Sequence, residues 1–150
     1  MIQGTAHFIQ PGLLARLFNR CYGWLADRGI GPSYSYVLEV AGRKTGTPQF
    51  TPVNLLTHNG KLFLVATRGQ TQWARNAAAA GKVALKKGRM RTEFRLRIVP
   101  DEEKPKILKA YLLRFNWMVS RFFPVRAGSP STAFVPIANR YPVFELIRIY

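Results

Sequence analysis

The chain is poor in acidic residues, in cysteine and in histidine, and each shortage removes a class of chemistry. Only 7 aspartates and glutamates stand against 23 lysines and arginines, for a formal charge of +16. No carboxylate pair with the look of a general acid–base couple emerges from so few acids. A single cysteine, Cys21, cannot form an internal disulfide. It falls on the apolar side of a helical pattern, where a thiol reads as a small buried hydrophobe in a reducing interior. His7 and His58 are far apart and have no cysteine or carboxylate cluster near them, so no metal site is expected. No apolar run approaches the ~18 residues of a membrane-spanning helix, and the N-terminus lacks the continuous apolar stretch of a signal peptide. A cytoplasmic protein is expected. Neither GxGxxG nor GxxxxGK[ST] follows a strand-like stretch, so the two common phosphate loops are excluded.

What is present is a folding sequence with an excess of positive charge. Hydrophobic residues make up 47% and aromatics 13% of the 150 residues, and no repeat or low-complexity run is found. A chain of this length is one domain, residues 1–150, able to bury roughly 68–70% of its unfolded surface. The charge predicts an anionic partner: nucleic acid, an anionic lipid surface or a polyanionic small molecule. Because lysine and arginine are spread through apolar sequence rather than gathered in a tail, charge alone does not choose among the three.

Hydrophobic periodicity places the elements. Leu13, Leu14, Leu17, Phe18, Cys21, Tyr22 and Leu25 recur at helical spacing, predicting an N-terminal amphipathic helix over residues 10–28 that stops at Gly29-Ile30-Gly31-Pro32. Strands are predicted over Tyr34–Val40, Phe50–Thr57, Lys61–Thr67, Lys82–Lys86, Arg89–Val99 and Tyr141–Tyr150. His58-Asn59-Gly60 suits a type I′ hairpin turn, and Lys87-Gly88 a second turn. In the fifth strand, Arg89, Arg91, Glu93, Arg95 and Arg97 alternate with Met90, Thr92, Phe94, Leu96 and Ile98, as in a sheet with one buried face. A short helix capped by Thr71 runs to Gly81, and a longer one starts near Asp101, passes Phe115 and breaks near Phe123-Pro124. About six strands with two or three helices predict a small α+β, barrel-like domain.

The chemistry centres on Gly42-Arg43-Lys44-Thr45-Gly46-Thr47-Pro48, a basic, glycine-bracketed turn at a strand end. Glycines permit positive φ and close backbone approach, and two full charges suit a phosphate or carboxylate. Such turns are mostly solvated hairpin ends, so the turn alone does not define a site. Pro52 removes a ladder donor, which predicts a sheet edge or bulge beside which a flat ring can lie. A helix start near Trp73 offers free N–H groups. Trp73 is also readable as a core aromatic, Asn76 as a helix-end backbone partner and Arg68 as a surface charge.

Four motifs in order, the basic turn, Val53-Asn54-Leu55-Leu56-Thr57-His58-Asn59-Gly60, Val65-Ala66-Thr67-Arg68-Gly69 and Trp73-Ala74-Arg75-Asn76 before Gly81-Lys82-Val83, resemble the deazaflavin-dependent nitroreductase family of the split β-barrel flavin and deazaflavin oxidoreductases. The resemblance runs from about Pro11 to Phe144 and implies a split β-barrel of about six mainly antiparallel strands with flanking helices. It implies coenzyme F420, a deazaflavin with a ribityl phosphate and an oligoglutamate tail, as cofactor, with FMN the alternative. By resemblance, Arg43, Lys44, Thr45 and Gly46 hold the phosphate, and Gln49, Phe50, Thr51, Pro52, Val53 and Asn54 lie beside the ring, Pro52 and Val53 nearest. Ala66, Thr67 and Arg68, with Gln72, Trp73, Ala74, Arg75 and Asn76, complete the pocket. The cofactor performs the redox step while the protein positions it and excludes water, which accounts for the lack of a catalytic triad or activated cysteine. No catalytic residue is assigned, and neither Tyr111 nor Tyr141 aligns with the tyrosine proton donor of some members.

Departures limit what carries over. Gln49 stands where nitroimidazole-activating members carry arginine, and the Gly69–Gln72 connection is shorter than theirs, so nitroreduction is not implied. Asn139-Arg140-Tyr141-Pro142-Val143-Phe144 and Ser120-Arg121-Phe122-Phe123-Pro124 look more like the lipid-associated subgroup, proposed to reduce unsaturated fatty-acyl-like substrates. Leu112, Leu113, Phe115, Trp117, Met118, Val119, Phe122 and Phe123 are apolar on more than one helix face, as in buried core, a greasy pocket or a membrane contact. The expected function is hydride transfer from reduced F420 to a small hydrophobic acceptor, an unsaturated fatty-acyl-like lipid or a quinone. The alternative is a non-catalytic cofactor- or lipid-binding protein on the same fold. Peripheral contact with the anionic inner face of the cell membrane through the first helix is an open expectation. The assembly is a monomer or a homodimer. Nucleic acid is set aside because Phe94 alternates away from the arginine face on which bases would have to stack.

Overall fold

The computed structural model describes residues 33–149, so the amphipathic segment 10–28, His7 and Cys21 lie outside the described residues. Seven strands form one antiparallel sheet: β1 (Ser35–Ala41), β2 (Pro48–Asn54), β3 (Leu56–His58), β4 (Lys61–Val65), β5 (Lys82–Lys87), β6 (Met90–Ile98) and β7 (Val143–Arg148). Helix α1 (Gln72–Ala80) joins β4 to β5, and α2 (Lys104–Val119) follows β6 through a 3₁₀ turn at Asp101–Glu103. The strand order is β2-β1-β5-β6-β7-β4-β3. Its two edges, β2 and β3, are consecutive in the chain with only Leu55 between them, which forces the sheet to curl until its edges meet at one corner. The Leu55 amide donates to the Tyr34 carbonyl there (2.9 Å). This is a split barrel with flanking helices.

Two cores result. Inside the curl, Leu38, Val40, Leu85, Phe94, Phe144 and Leu146 pack on Ala74 and Ala77 of α1. Outside it, Leu56, Phe63 and Val143 pack under Leu108, Leu112 and Phe115 of α2. Strand β4 serves both: Phe63 and Val65 face the outer core and Leu64 the inner one, so a period-2 chain reads there as a continuous apolar run. Asn59 (φ 51°) and Gly60 (φ 75°) both take positive φ at the β3–β4 turn, as a type I′ hairpin demands.

Two sequence expectations need correction, and one element went unread. The predicted strand Phe50–Thr57 breaks at Leu55, because the barrel corner lies there, and the count rises to seven. The closing strand starts at Val143, after Pro142, rather than at Tyr141. The stretch Ser131–Arg140 is a 3₁₀ segment that no periodicity announced. On β6 the centre of the apolar face is covered, with Phe94 buried, whereas Met90 and Ile98 at its ends are exposed. Two of the four arginines of the opposite face are engaged: Arg91 contacts Glu39 (2.8 Å) and Glu93 (2.9 Å), and Arg97 contacts Glu145 (2.8 Å) and Glu103 (2.9 Å). The Arg91 hydrogen bond holds the Glu39 carboxyl below the usual carboxylate range.

Candidate functional site

The basic turn links β1 to β2 and is closed by its own backbone. The Gly42 amide donates to the Thr47 carbonyl and the Gly46 amide to the Gly42 carbonyl, both at 2.8 Å. The Thr47 amide donates to Thr45 Oγ1 (3.2 Å). Gly46 sits at φ 77°, a conformation that favours glycine. A β-carbon on Gly42 would lie 3.2 Å from the Thr47 carbonyl oxygen. Arg43, Lys44, Thr45 and Gly46 are all exposed. Neither Arg43 nor Lys44 forms an ion pair with a carboxylate among the described residues.

Arg43 is nevertheless tied to α1. Its amide donates to Asn76 Oδ1 (3.0 Å), and its Nη1 donates to Asn76 Oδ1 (2.8 Å) and Gln72 Oε1 (2.9 Å). Helix α1 begins at the cap predicted from sequence, where Thr71 Oγ1 accepts from the Ala74 amide (3.3 Å). That cap leaves the amides of Gln72 and Trp73 in the first turn, where a helix has no internal acceptors for them.

The candidate residues of β2 divide by face. The strand pairs only with β1, so its other side is an open edge, and Pro52 lies on it opposite Val37. Gln49 and Phe50 are exposed, and Thr51, Pro52, Val53 and Asn54 are half-buried. Phe50 is 56% exposed, with the Lys86 ammonium 5.1 Å from its ring centroid. Val53 reaches the inner core from the other face. Elsewhere the structure narrows the candidate set. The side chains of Ala66 and Ala74 are core, at 2% and 1% exposure. Trp73 packs on the inner core with its ring 5.9 Å from that of Phe144. Thr67 and Arg68 are half-buried, and Arg75 is exposed.

The C-terminal end of α2 flanks the same segments, which the motif reading missed. Asn54 Nδ2 lies 3.2 Å from Met118 Sδ. The Arg68 guanidinium stands 5.6 Å from the Phe122 ring centroid, and that of Arg121 4.9 Å from the same ring. Burial, and then the neighbouring Arg121 charge, lower the pKa of Arg68. The signal in the sequence was the surplus of apolar residues between Leu112 and Phe123, too many for one buried helix face.

Neither tyrosine considered as proton donor stands free in a cleft. The Tyr141 hydroxyl donates to the Phe122 carbonyl (2.5 Å) and the residue is fully buried. The Tyr111 hydroxyl accepts from Asn54 Nδ2 (3.4 Å), and burial pushes its pKa up to about 12. A folded-state value above the ordinary 10.0 means that stability from the neutral phenol is complete below pH 10 and is lost as pH rises toward about 12. Alkaline unfolding monitored beside ultraviolet tyrosine titration is expected to show this loss, with Tyr111→Phe flattening the alkaline limb. An unchanged limb in that variant would contradict the assignment.

A phosphate-bearing ring cofactor fits this arrangement. Two cations without carboxylate partners among the described residues crown a glycine-closed turn, and an open strand edge with a proline and an exposed phenylalanine leads away from it. A model of the F420H(2)-dependent quinone reductase family matches residues 23–120. No curated protein matches. Among solved structures, an F420-H2 dependent reductase is 17% identical, with 76% of this chain and 94% of that one covered and a TM-score of 0.51. The heme storage protein HutZ from Vibrio cholerae is 10% identical (78% and 82% covered, TM-score 0.54). A conserved hypothetical protein from Mycobacterium tuberculosis is 17% identical (79% and 74% covered, TM-score 0.53). At these identities the structures speak for the split-barrel fold, whereas the family match spans the basic turn, β2 and α1. The chain therefore belongs to the F420H(2)-dependent quinone reductase family and is an oxidoreductase that uses coenzyme F420.

Proposed function

We propose that the chain reduces a quinone-like apolar acceptor with reduced F420, in a groove bounded by the basic turn, β2, the 66–71 connection and the C-terminal end of α2. The carrying observation is the basic turn itself, whose exposed Arg43 and Lys44 have no acidic partner among the described residues although it is anchored to α1. Arg43 and Lys44 neutralise the cofactor phosphate, and charge-assisted hydrogen bonds are among the strongest a protein can offer it. Pro52, with no N–H, gives the edge of β2 an apolar wall for the ring. Bound reduced deazaflavin supplies a hydride from its ring carbon. The chain orients it and, through Met118 and Phe122, sheds water from the acceptor side.

A second reading, an unsaturated fatty-acyl acceptor, is favoured by the apolar surplus of α2, where Leu113 and Trp117 remain 60% and 68% exposed beside the half-buried Met118 and Phe122. The same exposed pair supports a peripheral contact with lipid. No helix of the described residues is long and apolar enough to cross a membrane.

Fluorescence titration with oxidised F420 and, in parallel, FMN tests the cofactor. Saturable F420 binding with little FMN response is the expected result. Anaerobic oxidation of reduced F420 with a menaquinone analogue and with an unsaturated fatty acid then separates the acceptors, with faster turnover expected on the quinone. Turnover on the fatty acid alone would replace the first reading by the second, and binding without turnover of either would remove both.

A further inference from the structure

We propose that Asn76, supported by Gln72, is a positioning residue that presents the Arg43 guanidinium to the cofactor phosphate and does not itself touch the cofactor. This rests on the assignment of the basic turn to the phosphate. Asn76 is buried at 5% exposure, and a buried amide oxygen has to be satisfied. Its Oδ1 is satisfied twice by the same residue, by the Arg43 amide at 3.0 Å and by Arg43 Nη1 at 2.8 Å. Gln72 Oε1 takes a further bond from Nη1 at 2.9 Å. Gln72 and Asn76 are four residues apart in α1, hence on one face of the helix.

The consequence is geometric. A guanidinium carries five N–H donors, of which Nη1 owns two, and α1 provides an acceptor for each. The edge formed by Nε and Nη2 is left, and its two parallel N–H bonds match a pair of phosphate oxygens. The backbone bond meanwhile sets the register of the turn on the helix, so both the direction and the origin of the Arg43 side chain are set before ligand arrives. An arginine that would otherwise lose rotamer freedom on binding is ordered beforehand, which is preorganisation in its ordinary sense. Lys44, the neighbouring cation, makes no comparable bond to α1 among the described residues.

The test compares two ligands: F420, and the phosphate-free deazaflavin that ends at its ribityl chain. N76A is expected to lower F420 affinity by about tenfold and to leave affinity for the phosphate-free compound unchanged. In an R43A background, N76A is expected to have a much smaller further effect, because the guanidinium it orients is gone and only the residue-43 amide bond remains. Equal losses on both ligands, an undiminished tenfold loss on top of R43A, or no loss at all would each overturn the proposal. If N76A does not fold, Q72A carries the test from its exposed position, with a smaller loss, about threefold, confined to F420. Unchanged F420 affinity in R43A would instead remove the phosphate assignment, which keeps the two failures apart.

Discussion

Replacing Arg43 and Lys44 together by alanine is expected to weaken F420 binding by at least about 100-fold, or about 2.7 kcal/mol, with little change in melting temperature. Hydrogen bonds to charged groups contribute about 1.5–3 kcal/mol each, so two phosphate contacts suffice even when they are not additive. The fold should survive the change because both side chains are exposed and neither forms an ion pair with a carboxylate among the described residues. The backbone bond from residue 43 to Asn76 is also retained. Fluorescence titration measures the loss and circular dichroism the stability. A loss below about threefold with an intact fold would detach the basic turn from the cofactor.

Phe115→Ala is expected to cost about 3–5 kcal/mol of stability, as large-to-small changes in a closed core do. Phe115 is fully buried at the middle of the outer core, with its ring 5.1 Å from Tyr34 and 4.9 Å from Tyr111. Helix α2 departs from helical geometry at this residue (φ −118°, ψ 24°), where the chain turns toward the Met118–Phe122 end that flanks β2. The variant is therefore expected to lose cofactor affinity as well as stability, since Asn54 meets Met118 at that end. Leu113→Ala, two residues away but 60% exposed, is the control, expected to stay within about 0.5 kcal/mol of the parent. Denaturant unfolding of the two variants compares them directly. Similar losses would mean that α2 buries a face other than the one described.

Much of the fold was legible because the deciding signals are local. The Asn59-Gly60 turn, the Thr71 cap of α1 and the edge position of Pro52 all follow from the conformational limits of one or two residues, and each is found where the sequence places it. The sheet edge at Leu55 was not legible, because nothing in Val53-Asn54-Leu55-Leu56 marks a break. The break exists only because a seven-strand sheet has to close. The 3₁₀ segment at Ser131–Arg140 was missed for a related reason, as its buried residues Phe134, Ile137 and Ala138 answer to α2 and not to any helical or strand period of their own.

The site divides in the same way. By itself the sequence determined that a basic glycine turn follows a strand, that a proline-bearing edge strand follows the turn, and that a capped helix comes next, because charge, φ preference and missing donors belong to single residues. Only the tertiary structure decided which of these residues are exposed and which face one another. Ala66 and Ala74 have buried side chains, and Asn76 holds the Arg43 amide across 33 residues. Asn54 acquired Tyr111 and Met118 as neighbours across 57 and 64 residues. Such pairings have no trace in periodicity. They are set by the closure of the barrel and the seating of α2 on its outer face, which bring these polar groups within reach of one another.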